Sequence, residues 1–90
     1  MGEMTQLGSV PGYLARPAGM GPWPAVIVIQ EWWGLDPQTR SIADRFAQLN
    51  YLTFAPDVYH GELAKFGDHE KAAALSQKYG PGAPADLEQL

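Results

Sequence analysis

Cysteine is absent from these 90 residues, which excludes disulfides, thiolate metal sites and a cysteine nucleophile within the sequence. Histidine is scarce: His60 and His69 are too few for a histidine-rich metal centre, and neither a metal nor another cofactor is expected. Basic residues are few as well. Six Lys and Arg stand against ten Asp and Glu, for a net charge of −4, and they are scattered along the chain. No surface is therefore expected to neutralise a phosphate backbone, and nucleic acid is not expected as a partner. Long apolar runs are also missing. The longest, residues 25–29, falls far short of the roughly 20 residues a membrane span needs. The amino terminus lacks the basic and apolar regions of a secretory signal. The expectation is a soluble, cytoplasmic chain with no membrane partner.

What the sequence does have is apolar and turn-rich. Hydrophobic residues make up 46% and charged residues only 18%, the balance of a core-forming chain and not of a disordered tail. Ten glycines and eight prolines call for many turns and short elements. Residues 1–24 read as an edge hairpin, with segments 5–10 and 13–16 turning at Pro11-Gly12. Residues 25–57 read as a strand–helix–strand unit. The β-branched run 24–30 has no polar alternation, which is the pattern of a central strand buried on both faces of a parallel sheet. Asp36-Pro37 then reads as N-cap and first helical residue, Ile42, Ala43, Phe46, Ala47 and Leu49 as an apolar stripe, and Asn50 as a left-handed stop. Residues 52–55 supply the second parallel strand. Residues 58–90 read as a loop and helices: Asp68 caps one, Gly80-Pro81-Gly82 ends it, and Pro84 opens a last helix whose Leu87 and Leu90 begin a stripe that the chain end cuts off. One crossover unit is too little for a two-faced parallel sheet, so the expected class is α/β with the sheet incomplete in this chain.

The chemistry is expected where strands end. Gln30-Glu31-Trp32-Trp33-Gly34 follows the first parallel strand, and open α/β sheets bind ligands outside the carboxyl ends of their strands. A carboxylate flanked by two indoles is costly to desolvate, so Glu31 calls for a raised pKa or a dedicated partner. The plainer alternative is a strand-end Glu facing water beside two core tryptophans. Loop amides near Gly34 could supply half of an oxyanion hole. Neither a dinucleotide nor a phosphate-cradle glycine pattern is present. Asp57-Val58-Tyr59-His60-Gly61 follows the second parallel strand and so shares that edge of the sheet, with Tyr59 and His60 as pocket candidates. His60 could serve as a general base, although a structural bond to a nearby loop carbonyl is the simpler reading. Ser9, Ser41 and Ser76 lack the sharp setting of an elbow nucleophile. His69 is expected at an exposed helix start.

Read in order, Gly12-Tyr-Leu-Ala-Arg-Pro17, Pro24-Ala-Val-Ile-Val-Ile-Gln-Glu-Trp-Trp-Gly34, Ser41-Ile-Ala-Asp-Arg-Phe-Ala47 and Ala55-Pro-Asp-Val-Tyr-His-Gly61 resemble the amino-terminal half of the dienelactone hydrolases, or carboxymethylenebutenolidases. The resemblance implies the amino-terminal half of an α/β-hydrolase fold. It also implies a cofactor-free opening of cyclic enol-lactones and related esters by a cysteine, an aspartate and a histidine, all of which would lie after Leu90. Glu31 matches the family glutamate associated with control of the thiol nucleophile. Trp32 matches the position whose backbone amide contributes to the oxyanion hole, and Trp33, Tyr59 and His60 resemble pocket lining. The arginines that grip a substrate carboxylate are not identifiable, Lys65 being only a nearby cation. The resemblance thus implies a chain inactive alone, taking a small ester or lactone once a carboxyl-terminal half completes it. The alternative is a non-catalytic interaction module that self-associates or pairs with a complementary chain through an exposed strand edge.

Overall fold

Leu7 and Val10 flank a two-residue loop, Gly8-Ser9, and that loop sets the first hairpin. In the computed structural model, which describes residues 2–88 and 90, strand β1 (Gly2–Leu7) pairs antiparallel with β2 (Val10–Ala15), Leu7 opposite Val10 and Gly2 opposite Ala15. Met1, assigned above to the hairpin, and Gln89, assigned to the last helix, lie outside the described residues. Gly8 has φ 66°, the left-handed backbone that tight hairpin loops demand. The turn expected at Pro11-Gly12 is thereby corrected: both residues lie inside β2. Pro11 lacks an N–H, yet its carbonyl accepts from the Asp57 amide at 2.7 Å. Gly12 serves close approach, because a Cβ there would lie 2.4 Å from the Phe54 ring and 2.6 Å from the Ala55 carbonyl.

The strand–helix–strand unit is present as β3 (Ala25–Ile27), α1 (Pro37–Gln48) and β4 (Leu52–Pro56), with β3 parallel to β4. β4 also pairs antiparallel with β2, giving the order β1-β2-β4-β3. The expected central strand is therefore an edge strand here, and only one of its faces is covered. Val28 packs on the core formed by Tyr13, Ala15, Leu35, Ala43, Ala47 and Ala55. On the other face Ile27 and Ile29 remain 44% and 54% exposed. A run of β-branched residues asks for cover on both sides; the sheet is incomplete in this chain, as expected.

Helix α1 starts where Asp36 accepts from the Thr39 amide (2.9 Å) and hydroxyl (3.0 Å), with Pro37 following at the first helical position. Its buried stripe is Thr39, Ala43 and Ala47, small residues that let the helix lie close to β2 and β4. Leu49, expected in the stripe, is 67% exposed and caps the helix instead. The helix ends in a Schellman motif. Asn50 has φ 72°, its N–H donates to the Ala47 carbonyl and the Tyr51 N–H to the Phe46 carbonyl, each at 3.0 Å. The Phe46 and Tyr51 rings meet edge to face at 6.1 Å, the apolar contact that accompanies such a stop.

A second core forms beyond β4. Trp33, Val58, Tyr59, Ala64, Ala72 and Leu75 cluster under helix α2 (His69–Tyr79), which Asp68 caps through the Lys71 amide at 3.1 Å. A single 3-10 turn (Gly80–Gly82) leads into α3 (Ala83–Glu88), whose Ala83 packs on the same cluster. Among the described residues no helix is long and apolar enough to cross a membrane.

Candidate active site

Two loops leave the carboxyl ends of the parallel strands, and one side-chain amide joins them. Gln30, the only polar residue at the end of an apolar run, accepts the Val58 N–H on its Oε1 at 3.0 Å. The chain then turns. The Gly34 N–H donates to the Glu31 carbonyl at 3.1 Å, placing Trp32 and Trp33 at the corners of a β-turn. Gly34 has φ 112°, and a Cβ on it would lie 2.9 Å from the Leu63 Cβ, so this turn is wedged against residues 62–63. The two indoles part company there. Trp33 is 6% exposed within the second core, and its carbonyl accepts from Ala64 at 2.7 Å. Trp32 is 42% exposed and faces outward, 5.7 Å from the His69 ring.

The second loop is held by a buried carboxylate. Asp57 is 5% exposed, and its Oδ2 accepts from the Gly61 amide at 2.7 Å, closing the loop over residues 57–61. Burial pushes the Asp57 carboxyl above its usual range, while the Gly61 and Tyr59 amides and the nearby His60 pull it back down. Its Oδ1 is buried and without a partner among the described residues. The loop delivers Tyr59, 4% exposed and stacked on Tyr79 at 5.9 Å, so that its hydroxyl donates to the Trp32 carbonyl at 2.8 Å.

Between these loops and the α2–α3 segment lies an open hollow of about 260 Å³, lined by Ile29, Glu31, Trp32, Tyr59, Ala83 and Leu87 among others. Three of the residues singled out from sequence, Glu31, Trp32 and Tyr59, meet there. Trp33 does not; it supports the hollow from beneath. His60 does not either. It adopts φ 50° and turns its Nε2 to the Asp86 carboxylate at 2.8 Å, an exposed pairing with a helix side chain where a loop carbonyl was the expected partner. Glu31 is exposed, and among the described residues no side chain pairs with its carboxylate as the dedicated partner expected for it. The reason is the turn: it sends Trp33 inward and leaves Glu31 and Trp32 on the open side. Gln30 and Asp57 are site-building residues that sequence reasoning passed over. The available signals were an amide ending an apolar strand and an Asp four residues before a glycine.

The chemistry this arrangement offers is electrostatic. The Glu31 carbonyl is turned inward to Gly34, so the trans peptide carries the Trp32 N–H to the opposite side, and among the described residues that N–H has no acceptor. A free amide and a carboxylate thus stand at one hollow. No group of three His, Asp or Glu among the described residues is placed to hold a metal ion.

A parallel strand–helix–strand unit whose strand-end loops frame a hollow, flanked by an antiparallel hairpin, is part of an α/β-hydrolase fold. The sequence profile of the dienelactone hydrolase family matches residues 10–87, and the chain belongs to that family. It is 45% identical over 71 residues to "Protein usf" of Aquifex pyrophilus, covering 71% of this chain and 30% of that protein. It is 39% identical over 75 residues to "Putative hydrolase fragment YghX" of Escherichia coli K12, covering 82% of this chain and 64% of that one. Among solved structures, "Crystal Structure of Putative Dienelactone Hydrolase from Klebsiella pneumoniae subsp. pneumoniae MGH 78578" superposes with a TM-score of 0.70 at 31% identity, over 90% of this chain and 35% of that one. The chain therefore spans about a third of the length of most of these relatives, and just under two thirds of the fragment.

Proposed function

We propose that these residues form the oxyanion and carboxylate side of an ester or lactone hydrolase site whose nucleophile, aspartate and histidine are contributed by polypeptide beyond this sequence. The observation that carries the reading is the Trp32 N–H, free of any acceptor among the described residues, on a turn at the mouth of the hollow with the Glu31 carboxylate beside it. Acyl transfer develops negative charge on a carbonyl oxygen, and a fixed backbone donor stabilises that charge where a water would have to reorganise. Glu31 acts on the nucleophile's protonation and touches no leaving group. Trp32 and Tyr59 shape the pocket wall; Trp33 supports it. With no cysteine in its 90 residues and His60 outside the lining of the hollow, the chain alone turns over no ester.

The test is a graft of residues 10–87 over the matching segment of a full-length relative with measurable hydrolase activity. Trp32→Pro removes the N–H at a turn position proline accepts, whereas Trp32→Ala removes the indole and keeps the N–H. The expected result is a kcat about 100-fold lower for Trp32→Pro than for Trp32→Ala. Equal activity of the two variants would remove the amide from the mechanism.

A second reading is favoured by the bare sheet. The β3 edge and the face carrying Ile27 and Ile29 are apolar and uncovered, the features of a surface that pairs with a second copy or a complementary chain.

A further inference from the structure

Resting on the oxyanion reading above, we infer that Tyr59 is the positioning residue for the Trp32 amide. An oxyanion donor is useful only if its direction is fixed before charge develops. The Trp32 N–H belongs to the peptide plane between Glu31 and Trp32, and that plane is held on one side by the bond from Gly34 to the Glu31 carbonyl, 3.1 Å. The next plane, between Trp32 and Trp33, is held by the Tyr59 hydroxyl on the Trp32 carbonyl, 2.8 Å. Two pinned planes sharing one Cα leave both soft dihedrals of Trp32 determined. Without the hydroxyl the Trp32 carbonyl accepts no hydrogen bond among the described residues, and the second plane is left to turn about ψ of Trp32.

Tyr59 can hold this role because it is itself fixed. It is 4% exposed, packed with Trp33, Val58 and Ala64 and stacked on Tyr79, and its loop is tied to Gln30 by the Val58 amide and to Asp57 by the Gly61 amide. The hydroxyl thus carries the rigidity of the second core into the turn. It touches a backbone carbonyl and not the reacting atoms.

The experiment is NMR on the 15N,13C-labelled chain and its Tyr59→Phe variant, with phenyl methylphosphonate, a tetrahedral oxyanion, as the probe. The wild-type Trp32 amide shifts saturably with the probe. In Tyr59→Phe that shift requires about tenfold more probe and the Trp32 amide gains fast motion, while Thr53 and Ala43 amides stay unchanged. A variant as responsive and as rigid at Trp32 as wild type overturns the positioning role and leaves the oxyanion reading standing. A wild-type Trp32 amide that ignores the probe overturns both. If Tyr59→Phe does not fold, the wild-type chain still decides: a Tyr59 hydroxyl proton protected from solvent exchange supports the inference, and one exchanging freely overturns it.

Discussion

Asp57 is the side chain on which the geometry of the second loop depends, and folding works against its charge. Burial raises its pKa above the ordinary value of 3.8, so the folded chain binds this proton more tightly than the unfolded chain does. Its contribution to stability is therefore fully present below pH 3.8 and is lost as pH rises through the raised value. Asp57→Asn changes stability by an offset but removes this slope. Urea midpoints of the two proteins from acid to neutral pH are expected to diverge in favour of the variant as pH rises and then to run parallel; parallel curves throughout would contradict the assignment. Tyr13 gives a second residue-scale prediction. Its hydroxyl donates to Asp44 on α1 at 2.7 Å and accepts from the Gly2 amide at 3.0 Å, joining β1, β2 and α1. Tyr13→Phe is expected to cost about 1 kcal/mol in denaturant unfolding. At this scale the sequence indicated which loops meet but not how their side chains are oriented. Strand-end position pointed to Glu31, Tyr59 and His60, and the family resemblance added Trp32 and Trp33; of these Glu31, Trp32 and Tyr59 line the hollow, and nothing in the letters Trp32-Trp33 says which indole goes in. That is decided by a turn closed by Gly34 against Leu63, a contact 29 residues away in the chain.

The elements that were legible are those whose signals are local. Asp36-Pro37 starts α1 and Asn50 stops it, because capping and left-handed backbone are properties of a few neighbouring residues. Asn50→Val is accordingly expected to lower stability by about 1–2 kcal/mol, the cost of forcing a branched side chain into left-handed backbone, while Asn50→Gly stays near neutral. Thermal unfolding of both variants checks this, and a Val variant as stable as the Gly variant would remove the Schellman account. The elements that misled are those set by distant partners. Pro11-Gly12 has turn chemistry, yet Gly8-Ser9 makes the turn because it lets Val10 stand opposite Leu7 and lays Gly12 under the Phe54 ring. The run 25–29 has the composition of a two-faced strand, and composition does not reveal which of its neighbours the chain provides.

For the molecule as a whole, the uncovered face is the feature that sets behaviour. A hollow of about 440 Å³ runs across it, with Leu7, Leu14, Ile27, Leu52 and Phe54 in its lining and Arg16 the one charged side chain there among the described residues. Apolar surface of this kind beside an open parallel edge favours association. Sedimentation is expected to show mass rising with concentration for the wild-type chain and a lower mass at equal concentration for Ile27→Lys. A wild-type chain that stays monomeric at all concentrations would remove the second reading. The central claim, that these residues hold one side of an acyl-transfer site and not the whole of it, is tested most directly by turnover of an enol-lactone and of p-nitrophenyl acetate by the purified 90-residue chain. The expected result is no hydrolysis above the buffer rate, with Glu31→Ala indistinguishable from wild type. Saturable turnover proportional to chain concentration and abolished in Glu31→Ala would contradict it, because a complete hydrolytic machinery would then lie within a sequence that has no cysteine.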